Sequence, residues 1–567
     1  MLSWKRMLYV VLIVTVVSCV FMLYNMNEER ARHVQIRNIQ EEQSEFVETR
    51  LLKDAEKPQV WIVGDGGKDI YEKIYHNSRQ IFTDLHYTVR EVKQLDPEKL
   101  ERDALVVFCD DSVGSYTDLR KLGQFVSGGG KVILAAGLPE GNEDSYLWPL
   151  LGIREKSVRE NYNRLCFEEA LLPVQAEEMF YAGYDLSTWL AVGEDAKVYI
   201  RDGDSDVPVL YTCEYGAGKI CLINGTYLAD LHCAGLLTGA AGVMLEDMIY
   251  PVLGSKTVFL DNFPMITFIN DKLCMQMYGC STESFVRDVV WPDLQGMSLR
   301  TDTPYTSSIL AAASSDQSFP EINDSLFTTI GKSALQYNGE LIYAANCEND
   351  KEIYFNQNFI DEFRSVFTNY EIRGLALQTE TFSENMLNIP DVKIQVVRKM
   401  LGSGRGTGFS CDKEYLEFPA ATVGNSMEEG NLFGICSLLG AYGMVSHVFD
   451  INTLIAEDEE TASWDVDKRQ IGLFEKEILK KVPWLEGKVL SQTQNDIRSY
   501  VNLDYTWKKD KDRVELDCSN AVKGQAFFFR TNGRIREAEG LSYENAGNGY
   551  YILHVQQSHA VIIMEEE

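Results

Sequence analysis

At 567 residues the chain is long enough for about three domains. Hydrophobic residues make up 45% and aromatics 11%, which excludes a disordered polypeptide. Fifty-three Lys and Arg against 85 Asp and Glu leave a formal charge of −32, which repels phosphate backbones and excludes nucleic acid as a general partner.

From Met7 to Tyr24 there is no charged residue. At 1.5 Å per residue this apolar run extends about 27 Å as a helix, close to the ~30 Å of a bilayer's hydrocarbon core. Lys5 and Arg6 precede it and Glu28 and Glu29 follow it. That asymmetry predicts a single-pass anchor over residues 1–27, with the N-terminus cytoplasmic and the bulk extracytoplasmic. No small-residue cleavage site closes the run, so the reading is an uncleaved anchor and the cell membrane a partner. Residues 28–57 are polar and charged and read as a stalk.

Over residues 58–254, short apolar runs alternate with amphipathic segments. VWIVG (60–64), YTVREV (87–92), ALVVFC (104–109) and KVILAAG (131–137) read as strands. IYEKIYHNSRQIFTDL (70–85) and LRKLGQFVSGGG (119–130) read as helices, the second stopped by its glycines. Strands that are apolar throughout predict a parallel sheet covered on both faces. With its glycine-led strand and the later GAGKI strand, this unit resembles flavodoxin-like and glutamine-amidotransferase-like domains. Such amidotransferases use a Cys–His pair, for which Cys109 and His232 are the available residues. Asp110 and Asp111 follow Cys109 and blunt a thiol's reactivity, so a structural or ligand-binding shell is the expectation. The twelve cysteines include no CxxC pair and sit mostly in apolar runs, as buried thiols rather than a disulfide framework.

Residues 255–495 form a second α/β block of about 240 residues, near the size of a (β/α) barrel. Its strand-like runs begin with KTVFLDNFPMITF (256–268) and continue through GELIYAA (339–345), IRGLALQ (372–378), VKIQVV (392–397) and GMVSHVF (443–449). Residues 496–567 alternate short apolar runs with Asn and Gly, which predicts a small β-sandwich. The fold class is therefore α/β multi-domain: a transmembrane helix, a flavodoxin/amidotransferase-like domain, a barrel and a C-terminal sandwich.

FLDNFP at 259–264 resembles the opening strand of NodB-type polysaccharide deacetylases, in which an Asp-Asp pair ends that strand. The domain order resembles an uncharacterised bacterial membrane-anchored family associated with exopolysaccharide loci, Pel-type ones included. The resemblance implies a general-base Asp, a divalent metal held by a second Asp and two His four residues apart, and a late His as general acid. It places Asp261 at the base position, Asn262 at the metal-binding Asp, Ala344 and Glu348 at the two His positions, and His447 at the late acid, with Asp450 shortly after it. Asn262 offers one weak oxygen and Ala344 no donor at all. His447 is the single histidine between 255 and 495, so no two-His cage can be built within this block. The implied protein is a pseudo-deacetylase without cofactor, acting as a scaffold or glycan-binding protein of exopolysaccharide biosynthesis. An amino-sugar polysaccharide and exopolysaccharide synthesis proteins are its implied partners. The alternative is an active deacetylase or glycoside hydrolase with a carboxylate site of Asp261, Glu348 and Asp450, which suits a divalent cation on oxygen ligands.

Asp261 also reads as the cap of a turn, and His447 as a core histidine. Trp291, next to Pro292, and Trp484 are candidate sugar platforms or, more commonly for Trp, packing residues. GSGRGTG (402–408) lacks the strand–turn–helix frame of a dinucleotide site, and GKS (331–333) lacks the earlier glycine of a phosphate loop, so no nucleotide site is supported.

Overall fold

The computed structural model describes residues 13–18, 47, 57–65, 69–264, 271–314, 319, 324–347, 352–380, 382–401, 409–411, 414–451 and 464–565. Of the expected anchor only residues 13–18 are described, as helix. Among the described residues no helix is long and apolar enough to cross a membrane. The expected stalk lies outside the described residues except for Val47 and Lys57. Val47 is buried in the C-terminal core and donates its N–H to the Ala521 carbonyl, and Lys57 pairs with Asp504 at 2.7 Å.

In the first domain, strands Thr88–Val92, Gln59–Val63, Leu105–Phe108, Lys131–Leu134 and Gly218–Ile223 lie side by side and parallel. Antiparallel strands Pro208–Tyr215, Ala196–Asp202, Arg164–Phe167 and Glu178–Phe180 extend the same sheet. Alternate residues serve different cores: Val60, Ile62 and Val107 face one helical layer, and Val63, Val106 and Phe108 the other. This period of two explains why the strands read as continuous apolar runs. Helix Leu119–Ser127 starts where Asp118 accepts the N–H groups of Arg120 and Lys121, and it ends at Gly128.

The second block is a nearly closed parallel barrel. Its strands run in the order Leu416–Ala420, Val396–Met400, Gly374–Leu377, Glu340–Asn346, Tyr305–Ser314, Ser255–Asp261 and Met444–Asp450. Thr422–Val423, continuing from the first of these, pairs with Met444–Asp450 and brings the sheet round on itself. At the amino end the Leu490 N–H reaches Thr306 Oγ1 and the Ser491 N–H reaches the buried Glu340 carboxylate, plugging the lumen. The C-terminal unit is a sandwich of two four-stranded sheets. One of its strands, Met248–Pro251, comes from the end of the first domain and pairs with Ala526–Arg530.

Two helices that are apolar all round weld the first domain to the barrel. Ala234–Leu245 and Leu432–Tyr442 are buried along nearly their whole length, as helices hydrophobic on every face must be. Gly235 donates its N–H to Ser437 Oγ at 2.9 Å, and a Cβ at 235 would collide with the Ser437 backbone. Replacing Gly235 by Val should therefore cost roughly 1–3 kcal/mol in urea unfolding through overpacking. Gly472, inside helix Trp464–Glu477, has nothing within 4 Å of an added Cβ. Gly472→Ala should be neutral or stabilising by about 0.5–1 kcal/mol in the same measurement.

Candidate functional site at the carboxyl mouth of the barrel

Asp261 ends its strand on the inward side, at the face where barrel folds place their chemistry. In register with it on one neighbouring strand is Ser308, whose hydroxyl donates to Asp261 Oδ1 at 2.7 Å. Across the lumen, Arg398 grips the carboxylate with both arms: Nη1 to Oδ1 at 2.6 Å and Nη2 to Oδ2 at 2.8 Å. Arg398 is fully buried, donates also to the Leu377 carbonyl, and lies over the Phe259 ring with 4.9 Å to its centroid. A charge taken out of water needs a partner of opposite sign and a full set of hydrogen bonds. The planar guanidinium fork meets the carboxylate in the bidentate geometry that suits it best.

Asn262 follows in the left-handed conformation, at φ 57°, which Asn tolerates better than most residues. Its Oδ1 accepts from Gln378 Nε2 at 3.0 Å, and its Nδ2 lies 3.5 Å from Asp450 Oδ1. Asp450 pairs in register with Asp261, so both ends of this strand pair present an acid to the mouth. Ala344 is fully buried beside Leu310 and Ala376. Glu348 lies outside the described residues. These residues do not fit the metal centre that the resemblance implies: Asn262 is committed to Gln378 and Asp450, and Ala344 has only a methyl group. Among the described residues no group of three or more His, Cys, Asp and Glu could hold a metal ion.

The structure places His447 away from this constellation. It pairs in register with Val258, three residues before Asp261, and residues three apart on a strand point to opposite faces. His447 packs on Phe449 and, from the outer helical layer, on Phe474, and its Nδ1 lies 2.8 Å from Thr422 Oγ1. Burial pushes its pKa down to about 3. It is a neutral core histidine with no path to a group reacting at Asp261.

The other sequence candidates also have structural employment. Trp291 is buried with its indole N–H on Ser333, and Trp484 packs edge-on against Phe528, so neither offers a face to a sugar. Cys109 is buried, and burial pushes its thiol up to about 12. His232 bonds to Asp230 and to the Ala421 carbonyl rather than to a thiol. The described cysteines are all free. GKS lies within helix Asp324–Gln336, and 402–408 falls outside the described residues.

Two features escaped the sequence reading. One is Arg398, whose signal was a cation directly after the apolar run VKIQVV. The other is a cavity of about 440 Å³ between the first domain and the barrel's carboxyl face. Tyr181 and His232 line it from one side and Met400, Glu380, Glu429 and Phe433 from the other.

This architecture, a parallel barrel with its polar residues at the carboxyl mouth between an α/β domain and a β-sandwich, is that of a multi-domain protein with a deacetylase-like fold. The chain belongs to the family described as "Uncharacterised protein conserved in bacteria (DUF2194)", whose model matches residues 20–343 and 387–552. Among solved structures it is similar to Agd3, described as a novel carbohydrate deacetylase. The two are 8% identical, the match covers 90% of this chain and 99% of that one, and the TM-score is 0.52, a likeness of fold. A β-galactosidase from Bacillus circulans sp. alkalophilus matches 33% of this chain and 31% of its own, at 15% identity and TM-score 0.25. A putative ThuA-like protein from Parabacteroides merdae matches 33% of this chain and 90% of its own, at 11% identity and TM-score 0.26. Neither of these last two likenesses carries an argument. No curated protein matches the sequence.

Removing Arg398 strands the buried Asp261 carboxylate. Arg398→Met should cost on the order of 3–5 kcal/mol in urea unfolding, and adding Asp261→Asn should recover much of it because no buried charge then remains. His447 titrates below its ordinary value of 6.5, so its contribution to stability is intact above about 6.5 and is lost as pH falls from there to about 3. His447→Gln, which does not titrate, should flatten the acid limb of stability against pH by about one proton over that interval.

Proposed function

We propose that this protein is a membrane-anchored, extracytoplasmic carbohydrate-binding protein of exopolysaccharide assembly, whose deacetylase-like barrel no longer deacetylates. One observation carries the reading: the carboxylate at the general-base position is closed by Arg398 and Ser308, beside Asn262 and Ala344 where metal ligands are expected. Without a set of metal ligands beside it, this carboxylate lacks the partner that metal-assisted deacetylation needs. The carbohydrate class is supported by the fold shared with a carbohydrate deacetylase. It is also supported by the cavity at the barrel mouth, which the exposed carboxylates of Glu380 and Glu429 line together with Asn431. Carboxylates suit a deacetylated amine, and the amide suits sugar hydroxyls. The high negative charge favours a partly deacetylated amino-sugar polymer in the same way. The anchor over Met7–Tyr24 holds the protein at the outer face of the membrane, beside the proteins that synthesise and export the polymer.

The reading is tested with the full chain, supplied in turn with zinc, cobalt, manganese and magnesium, on acetylated and partly deacetylated amino-sugar oligomers. Saturable binding without acetate release is expected, and Glu429→Gln should weaken it about tenfold, equivalent to about 1.4 kcal/mol. Catalytic acetate release, or binding indifferent to Glu429, would overturn it.

A further inference from the structure

His232 stands where the first domain meets the barrel, and both of its ring nitrogens face acceptors. Nδ1 is 2.8 Å from Asp230 Oδ1 and Nε2 is 2.7 Å from the Ala421 carbonyl oxygen. A neutral imidazole has one N–H and satisfies one acceptor, and satisfying both takes the doubly protonated imidazolium.

The need for a donor at Ala421 comes from the barrel. Strand pairing between Val396–Met400 and Leu416–Ala420 ends at Met400 opposite Ala420, with the Leu401 N–H on the Ala420 carbonyl. On its other side the Ala421 N–H is taken by the Ser446 carbonyl. The next carbonyl, that of Ala421, has run out of neighbouring strand, and His232 supplies the donor from another domain. Gly434 of the barrel's apolar helix lies against the ring. A Cβ there would lie 3.4 Å from His232 Cδ2 and 3.1 Å from Thr422 Cγ2.

We propose that His232 is a positioning residue that, as imidazolium, staples the first domain to the open seam of the barrel. Its deprotonation frees the Ala421 wall of the interdomain cavity, so that the shape of the cavity follows pH. The staple does not depend on what the cavity binds.

The groups facing it are few. From the first domain these are Asp230, Tyr181, whose hydroxyl is 3.5 Å from Asp230 Oδ2, and the adjacent Cys233. From the barrel side Glu380 and Glu429 line the same cavity, and helix Leu432–Tyr442 presents the uncharged Gly434. Burial is the largest influence on His232 and works to lower its pKa, but the hydrogen bond and charge of Asp230 and the Ala421 carbonyl together raise it above 6.5. Burial likewise works to raise Asp230, and the hydrogen bonds and charge of His232 with the Tyr181 hydroxyl together hold it below the usual carboxylate range. The sign follows from both. The staple is intact below pH 6.5 and lost as pH rises through the raised His232 value; on the acid side it holds until Asp230 is protonated.

The test is a pH titration of the full chain labelled with ¹⁵N-histidine, the His232 signal being assigned by its loss in His232→Gln. Hydrogen-exchange protection of residues 416–434 is measured in parallel, corrected for intrinsic rates. At about pH 6 both His232 nitrogens should be protonated, and protection at 420–423 should fall about tenfold as His232 titrates. In His232→Gln that protection should be flat across the same range, and in Asp230→Asn the transition should move to lower pH. A bare His232 nitrogen at about pH 6 would overturn the proposal. So would wild-type protection indifferent to pH, or a fall that persists in His232→Gln.

Discussion

A carboxylate buried inside a barrel needs a counter-charge, and here Arg398 provides it from the far side of the lumen. The strands bearing Asp261 and Arg398 are not neighbours. Tyr305–Ser314, Glu340–Asn346 and Gly374–Leu377 lie between them, so the ion pair spans the interior instead of bracing adjacent strands. Together with Ser308 and the Phe259 ring it packs the lumen under the mouth. Open volume at this end lies instead between the barrel rim and the first domain, in the cavity bordered by Met400, Ala421 and Tyr181. Asp261 at the strand end is thus tied into the barrel's interior, and the open cavity lies one layer out.

The first domain is more than an appendage for the same reason. Its apolar helix Ala234–Leu245 is buried against Leu432–Tyr442, its Asp230–His232 segment caps the seam of the barrel, and its last strand, Met248–Pro251, is a member of the C-terminal sandwich. The chain therefore has three folding motifs whose boundaries are crossed by hydrogen bonds in both directions. The cavity at the barrel rim is lined by residues of two of them.

Much of this was legible from hydrophobic period. The runs at 60–64, 104–109 and 131–137 coincide to within a residue at their starts with strands Gln59–Val63, Leu105–Phe108 and Lys131–Leu134 because central parallel strands bury both faces. Segment 119–130 contains helix Leu119–Ser127 because Asp118 and Gly128 mark its ends chemically. The site was legible only in part. Asp261 at a strand end and the shortage of histidine could be read directly. The partnership with Arg398, 137 positions away, could not, because it depends on which strands face each other across a lumen. His447 illustrates the same limit. Its place in the chain matches a late catalytic acid, and only the register with Val258 shows that it points to the helical layer. The interdomain cavity left no trace in any single segment, since its lining is drawn from residues 181 to 434.

The barrel mouth is built around the Asp261–Arg398 ion pair, and on the proposed reading it takes up no metal. Elemental analysis of the full chain after saturation with zinc and removal of loosely bound ion tests it most directly, in wild type and Asp261→Asn. Far less than one zinc per chain in both proteins is the predicted result. One tightly retained zinc in wild type that disappears in Asp261→Asn would contradict it.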